Sequence, residues 1–172
     1  MFTAVQPDPA RRLRQLPRFF TAAARLGARY GDLDLAPDRA GAAIWLPPQV
    51  ELGPVQILRS GLGLAVLRFG PAAARRFLRI TSDFEHAKEE LAPGPCWHLF
   101  ILGIEPSQQG LGRGTELVAP QLARVDADGQ RCYLETSQPR NLPFYERQGF
   151  RSLGRRDPPG LPPFWPMIRE PR

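Results

Sequence analysis

Residues 109–114, Gln109-Gly110-Leu111-Gly112-Arg113-Gly114, set three glycines at alternate positions between an apolar run and an amphipathic one. Glycine lets a backbone approach a ligand with no β-carbon in the way. Free N–H groups and the dipole at a helix N-terminus favour an anion, so strand, glycine turn and helix together make a phosphate cradle. Residue type excludes two familiar cradles. A Walker loop ends in Gly-Lys-Ser/Thr, whereas this one runs Gly112-Arg113-Gly114-Thr115. The dinucleotide pattern GxGxxG needs a glycine three residues after its second, and Thr115 stands there. A tight turn with no ligand is the plain alternative.

Two titratable residues lie close to this run. Along RCYLETS, residues 131–137, Glu135 shares a face with Tyr133 and Ser137, and Cys132, Leu134 and Thr136 share the other. A carboxylate among apolar neighbours is costly unless paired, so Glu135 is either a catalytic base or the partner of an arginine. Histidine is a residue type suited to base chemistry near neutral pH, so His98 is either a base or a hydrogen-bonded structural histidine. His86, in a charge-rich segment, reads as a solvated side chain. Cys96 and Cys132 flank apolar residues outside any metal-ligand spacing, which predicts buried thiols and no metal site.

The elements that position these residues follow from periodicity. Residues 8–30 carry leucine, phenylalanine and alanine at helical spacing, with Pro17 expected to kink or split the helix. GDLDLA and AAIWLPP, joined by PDRAG, read as a β-hairpin. Residues 51–91 read as mostly helical, with Pro71 opening the second piece. CWHLFILGIEP, 96–106, is apolar on both faces, as in a strand covered on both sides. A helix from about 113 to 126 follows, packing through Gly114, Val118, Leu122 and Val125. Then come a strand at 131–137, a short helix within 139–150, and strands near 150–155 and 164–169. Asn141 and Tyr145 stand at the i, i+4 spacing that puts them on one helix face. Trp45 ends its strand as core or as a pocket wall.

The pattern Gln-Gly-x-Gly-x-Gly after a strand ending Ile104-Glu105-Pro106 resembles the pyrophosphate motif of the GNAT superfamily of N-acetyltransferases. LETSQPRNLPFYERQGF, 134–150, resembles the segment that completes the cofactor site there. That segment, with Pro120 and AAIWLPP, is especially similar to the puromycin N-acetyltransferase-like branch. The resemblance implies an α+β fold: a central, mostly antiparallel sheet flanked by helices, whose fourth and fifth strands run parallel and splay apart. It implies acetyl-CoA as co-substrate and direct acetyl transfer to a small primary amine. Gln109, Gly110, Leu111, Gly112, Arg113, Gly114 and Thr115 would hold the diphosphate. Leu102, Gly103 and Ile104 would supply backbone donors to the thioester oxygen, with Gly103 marking a bulge or close approach. Asn141 and Tyr145 would lie along the pantetheine arm, and Tyr145 would be the general acid; Glu135 or His98 would deprotonate the amine.

Composition narrows the partners. The chain has 172 residues, 23 basic groups of which only Lys88 is not arginine, and a net charge of +6. Arginine without a basic stripe or interleaved aromatics speaks against nucleic acid. No apolar run is long enough for a membrane helix and the first residues lack a secretory pattern, so the expected location is cytoplasmic, with no membrane partner. The expected architecture is one domain over 1–172 that lacks the family's first strand: a late start, a shortened form, or an open acceptor groove. A non-catalytic acyl-CoA-binding module, or an acetyltransferase acting on a protein or RNA-associated partner, stands as the alternative, and a homodimer stays open.

Overall fold

Asp8 starts the first long helix by accepting hydrogen bonds from the amides of Ala10 and Arg11, a side-chain cap for two donors that the helix cannot pair itself. The computed structural model, which describes all 172 residues, opens with a single turn, α1 (Phe2–Val5), and this helix, α2 (Pro9–Tyr30). Pro17 neither ends nor splits α2. Its missing N–H costs one bond, to the Leu13 carbonyl, and both residues are solvent-exposed, where water can take the bond's place.

A hairpin follows, β1 (Asp32–Leu35) and β2 (Gly41–Leu46), then three helices, α3 (Pro54–Ser60), α4 (Leu62–Leu67) and α5 (Pro71–Leu91), with Pro71 in the first turn of α5 as expected. The second half runs β3 (Trp97–Ile104), a 3₁₀ turn (Pro106–Gln108), α6 (Arg113–Ala127), β4 (Cys132–Thr136), a second 3₁₀ turn (Pro139–Asn141), α7 (Leu142–Arg147), β5 (Arg151–Ser152) and β6 (Trp165–Arg169). No helix is long and apolar enough to cross a membrane.

The six strands form one sheet in the order β1-β2-β3-β4-β6-β5. Every pairing is antiparallel except β3 with β4. Apolar side chains on both faces of β3 follow from what covers it. Phe100 and Ile101 pack against a core made by α2, α4 and α5, centred on Phe19, Leu26, Phe69 and Phe77. Leu99, Leu102 and Ile104 pack against the α6 core of Leu117, Val118, Leu122 and Val125. Arg169 fixes β6 to α6 through both oxygens of Asp126. That pair holds the Asp126 carboxyl below its ordinary range.

Candidate functional site

β3 and β4 pair only at Trp97–Cys132 and His98–Tyr133. Beyond those two rungs β3 continues to Ile104 and β4 to Thr136 without pairing, so the strands open into a V. A bulge steers β3 away. Trp45 faces Leu99 and Ile44 faces Ile101, which leaves Phe100 as the extra residue. The irregularity expected at Gly103 thus lies three positions earlier, and a β-carbon at Gly103 would meet nothing within 4 Å.

The bulge also decides which backbone groups face the gap. The Glu105 amide donates to Ala40 at 2.7 Å, just past the Gly41–Ile104 rung. By antiparallel alternation, Ile101, Gly103 and Glu105 present their N–H groups to β2. Leu102 and Ile104 therefore present theirs to the opening. The Ile104 carbonyl, on that same side, accepts a hydrogen bond from Gln109 Nε2 at 2.9 Å, which ties the glycine run to the strand end.

Within the run the three glycines have two different reasons. Gly110 and Gly112 sit at φ 79° and 82°, left-handed backbone that side chains rarely adopt, with open space where a β-carbon would be. Gly114 is needed for packing: a β-carbon there would lie 3.1 Å from the Phe144 ring. Gly112 caps α6 with no side chain. The five consecutive amides from Gly110 to Gly114 donate to no acceptor in the protein. Thr115 departs from the expected set, because its amide donates to the Gly112 carbonyl at 2.9 Å while its hydroxyl accepts from Gln148. Arg113 pairs with Glu116 at 3.1 Å and Asp38 at 3.5 Å, all partly exposed.

Asn141 is half-buried at the start of α7, its side-chain amide without a hydrogen bond. Tyr145, one turn on, is buried between Phe144 and Phe150. Desolvation pushes its phenol up to about 12.

The two titratable candidates meet each other. His98 Nε2 and Glu135 Oε2 are 2.8 Å apart, with both side chains under a tenth exposed. Glu135 therefore takes a histidine as partner and no arginine. Tyr133 lies beside them, its ring 5.6 Å from the His98 ring and its buried hydroxyl without a hydrogen-bond partner. Burial first, and then the Glu135 charge, push the Tyr133 phenol up. The strand's alternation puts Tyr145 and the His98–Glu135 pair on opposite faces of β4, since Leu134 shares a core with Tyr145. At the C-terminal end of β4 the Met1 amine donates to Ser137 Oγ at 2.8 Å, laying α1 beside that end.

Trp45 is fully buried and donates to Asp34, a core residue with a polar anchor. His86 is exposed. Both thiols are buried, and desolvation pushes Cys132 up to about 12. No group of side chains is arranged to hold a metal. Phe144 escaped the sequence reasoning: its only signal is its place next to Tyr145, and contact with Gly114 across 30 residues leaves no periodic trace.

Residues 64–150 match the acetyltransferase (GNAT) family. An uncharacterized N-acetyltransferase of Schizosaccharomyces pombe is 30% identical over 118 residues, 66% of this chain and 48% of the relative. The chain thus spans about half the length of that curated relative. Among solved structures, an acetyltransferase of Corynebacterium glutamicum described as histone acetyltransferase HPA2 and related acetyltransferase superposes with a TM-score of 0.55 at 23% identity, covering 97% of this chain and 77% of its own. An agmatine N-acetyltransferase gives 0.55 at 14% identity, covering 91% and 94%. The polyamine N-acetyltransferase of Drosophila melanogaster gives 0.53 at 15% identity, covering 79% and 72%.

Proposed function

Because this chain belongs to the acetyltransferase (GNAT) family, we propose that it transfers the acetyl group of acetyl-CoA directly to a primary amine of a small molecule. The observation that carries this reading is the row of five free amides, Gly110 to Gly114, at the N-terminus of α6 beside the open V of β3 and β4. A diphosphate fits that row, since two of its glycines leave open space above the backbone. Bound there, the co-substrate supplies an activated thioester.

The chain's own groups then have separable tasks. The Leu102 and Ile104 amides, facing the opening, donate to the thioester oxygen as negative charge develops on it. Tyr145 donates its proton to the departing sulfur; a phenol pushed up to about 12 is fully protonated at neutral pH. From the other face of β4, the His98–Glu135 pair takes the proton of the attacking amine. With Nε2–H directed at the Glu135 carboxylate, Nδ1 of His98 is the proton acceptor, and Glu135 fixes that tautomer. The nitrogen–carbon bond forms first, placing negative charge on the oxygen, and the carbon–sulfur bond breaks as the carbonyl re-forms; solvent restores both protonation states. Acid and base on opposite faces keep removal of the amine's proton apart from delivery of a proton to the sulfur. The small-amine acceptor draws support from fold neighbours named for agmatine and polyamines.

Thiol release from acetyl-CoA in the presence of a panel of primary amines tests this. Release that depends on the amine is expected. Binding of acetyl-CoA without release by any amine would leave a non-catalytic acyl-CoA-binding module instead.

A further inference from the structure

Charge is segregated along this chain in a way that arginine-rich composition alone does not produce. Residues 9–31 carry six arginines and residues 52–82 carry five, and neither stretch contains an aspartate or glutamate. The rest of the chain carries 12 basic groups against 17 acids. The two stretches are α2 and the helices α3, α4 and the first part of α5, which pack on one another. The same stretches hold seven of the nine large apolar side chains that stand in solvent, among them Leu13, Leu58, Leu64 and Leu67. Cationic and apolar exposure therefore coincide in one helical layer.

Where α2 meets α4 the surface forms a groove of about 510 Å³ that continues along both helices. Arg14, Arg18, Arg25 and Arg68 line it, and none of them has an acidic partner. Gln15, also lining it, donates to the Arg68 carbonyl at 2.8 Å and links its two sides. A groove that receives an amphipathic helix is apolar inside and charged at its rim. This one is not: arginines line it side by side with the solvent-exposed Leu13 and Leu64. Phosphate-backbone binding gives no use to exposed leucine.

We propose that the outer face of α2 to α4 is a docking surface for an anionic lipid bilayer. Leucine side chains reach the acyl boundary while the arginines beside them meet lipid phosphates at headgroup depth. The contact is peripheral and needs no membrane-spanning helix, of which the chain has none long and apolar enough. It is independent of the acetyl-transfer reading.

Co-sedimentation of the full chain with vesicles tests it, using phosphatidylcholine alone and phosphatidylcholine with about 30% phosphatidylserine. Binding only to the anionic vesicles is expected, fading as salt rises from about 0.1 M to 0.5 M. Each arginine near an anionic surface strengthens partitioning about fivefold, so Arg14→Ala with Arg18→Ala is expected to weaken it about 25-fold. Leu13→Ser with Leu64→Ser is expected to weaken it about tenfold. Arg151→Ala with Arg155→Ala, at the far edge of the sheet, serves as the control and is expected to change nothing. The proposal is overturned by equal binding to both vesicle types or by an equal loss in the control pair. Tighter binding, at equal salt, to duplex RNA or to a glutamate–leucine peptide than to the vesicles overturns it as well.

Discussion

The two faces of β4 are built from different materials. On the α6 and α7 side the site is mostly backbone: five free amides from Gly110 to Gly114, with the Leu102 and Ile104 N–H groups at the adjoining opening. On the α5 side it is side chain, a buried histidine and glutamate 2.8 Å apart. A backbone site is written in the sequence by the absence of side chains, because only glycine enters left-handed turns freely. A side-chain site is written by residues whose partners are distant; His98 and Glu135 are 37 positions apart. The first kind tolerates changes of neighbouring charge and fails on a single β-carbon, whereas the second fails on loss of one functional group.

Substitutions can break this contrast, and the largest effect falls on the side-chain face. Glu135→Gln and His98→Gln are each expected to lower kcat about 10²–10⁴-fold while leaving acetyl-CoA affinity within about twofold. The double variant is expected to be little worse than either single one, because the pair acts as a unit. Losses that multiply in steady-state kinetics would show two independent roles.

Gly112→Val should do the reverse. A β-branched residue at φ 82° is strained and projects into the cradle, so acetyl-CoA affinity is expected to fall about 100-fold or more by calorimetry. Circular dichroism of the same variant checks that the fold persists.

Tyr145→Phe, on the α6 and α7 face, is expected to cost about 10²-fold in kcat. It also carries a pH signature. A phenol raised from 10.0 to about 12 in the folded chain gives stability that is full below pH 10 and is lost as pH rises through about 12. At pH 11 the intact chain is expected to have lost about 1 kcal/mol more than Tyr145→Phe, each relative to its own neutral-pH stability. Identical alkaline unfolding curves would contradict the buried phenol.

Arg113→Ala is the smallest change. Its ion pairs with Glu116 and Asp38 are partly exposed, and such pairs contribute little. Acetyl-CoA affinity is expected to move by less than about threefold; a larger loss would place the guanidinium on a phosphate and blur the backbone character of that face.

The sequence made most elements legible where period and punctuation agreed. α6 follows the glycine run and packs through Val118, Leu122 and Val125, and the β1–β2 hairpin turns at the Pro-Asp-Arg-Ala-Gly link. It misled where solvent or tertiary contact decides. Pro17 does not split α2, because its lost bond lies in water. The segment near 150–155 shrinks to the two residues of β5, the edge strand, which has only β6 to pair with. The bulge at Phe100 carries no special residue type; two adjacent apolar side chains turn to one core because the cores on both faces accept them. The candidate residues were legible one by one, but the Glu135–His98 pair was not, since charge alone made any of 22 arginines an equal partner.

The claim at the centre of this account is that free backbone amides hold a diphosphate. Calorimetric titration with acetyl-CoA, beside S-acetylpantetheine, which has the thioester and lacks the diphosphate, tests it most directly. Saturable one-to-one binding of acetyl-CoA is expected, with S-acetylpantetheine about 100-fold weaker or more. Equal affinity for the two, or no heat with acetyl-CoA at millimolar concentration, would contradict the account.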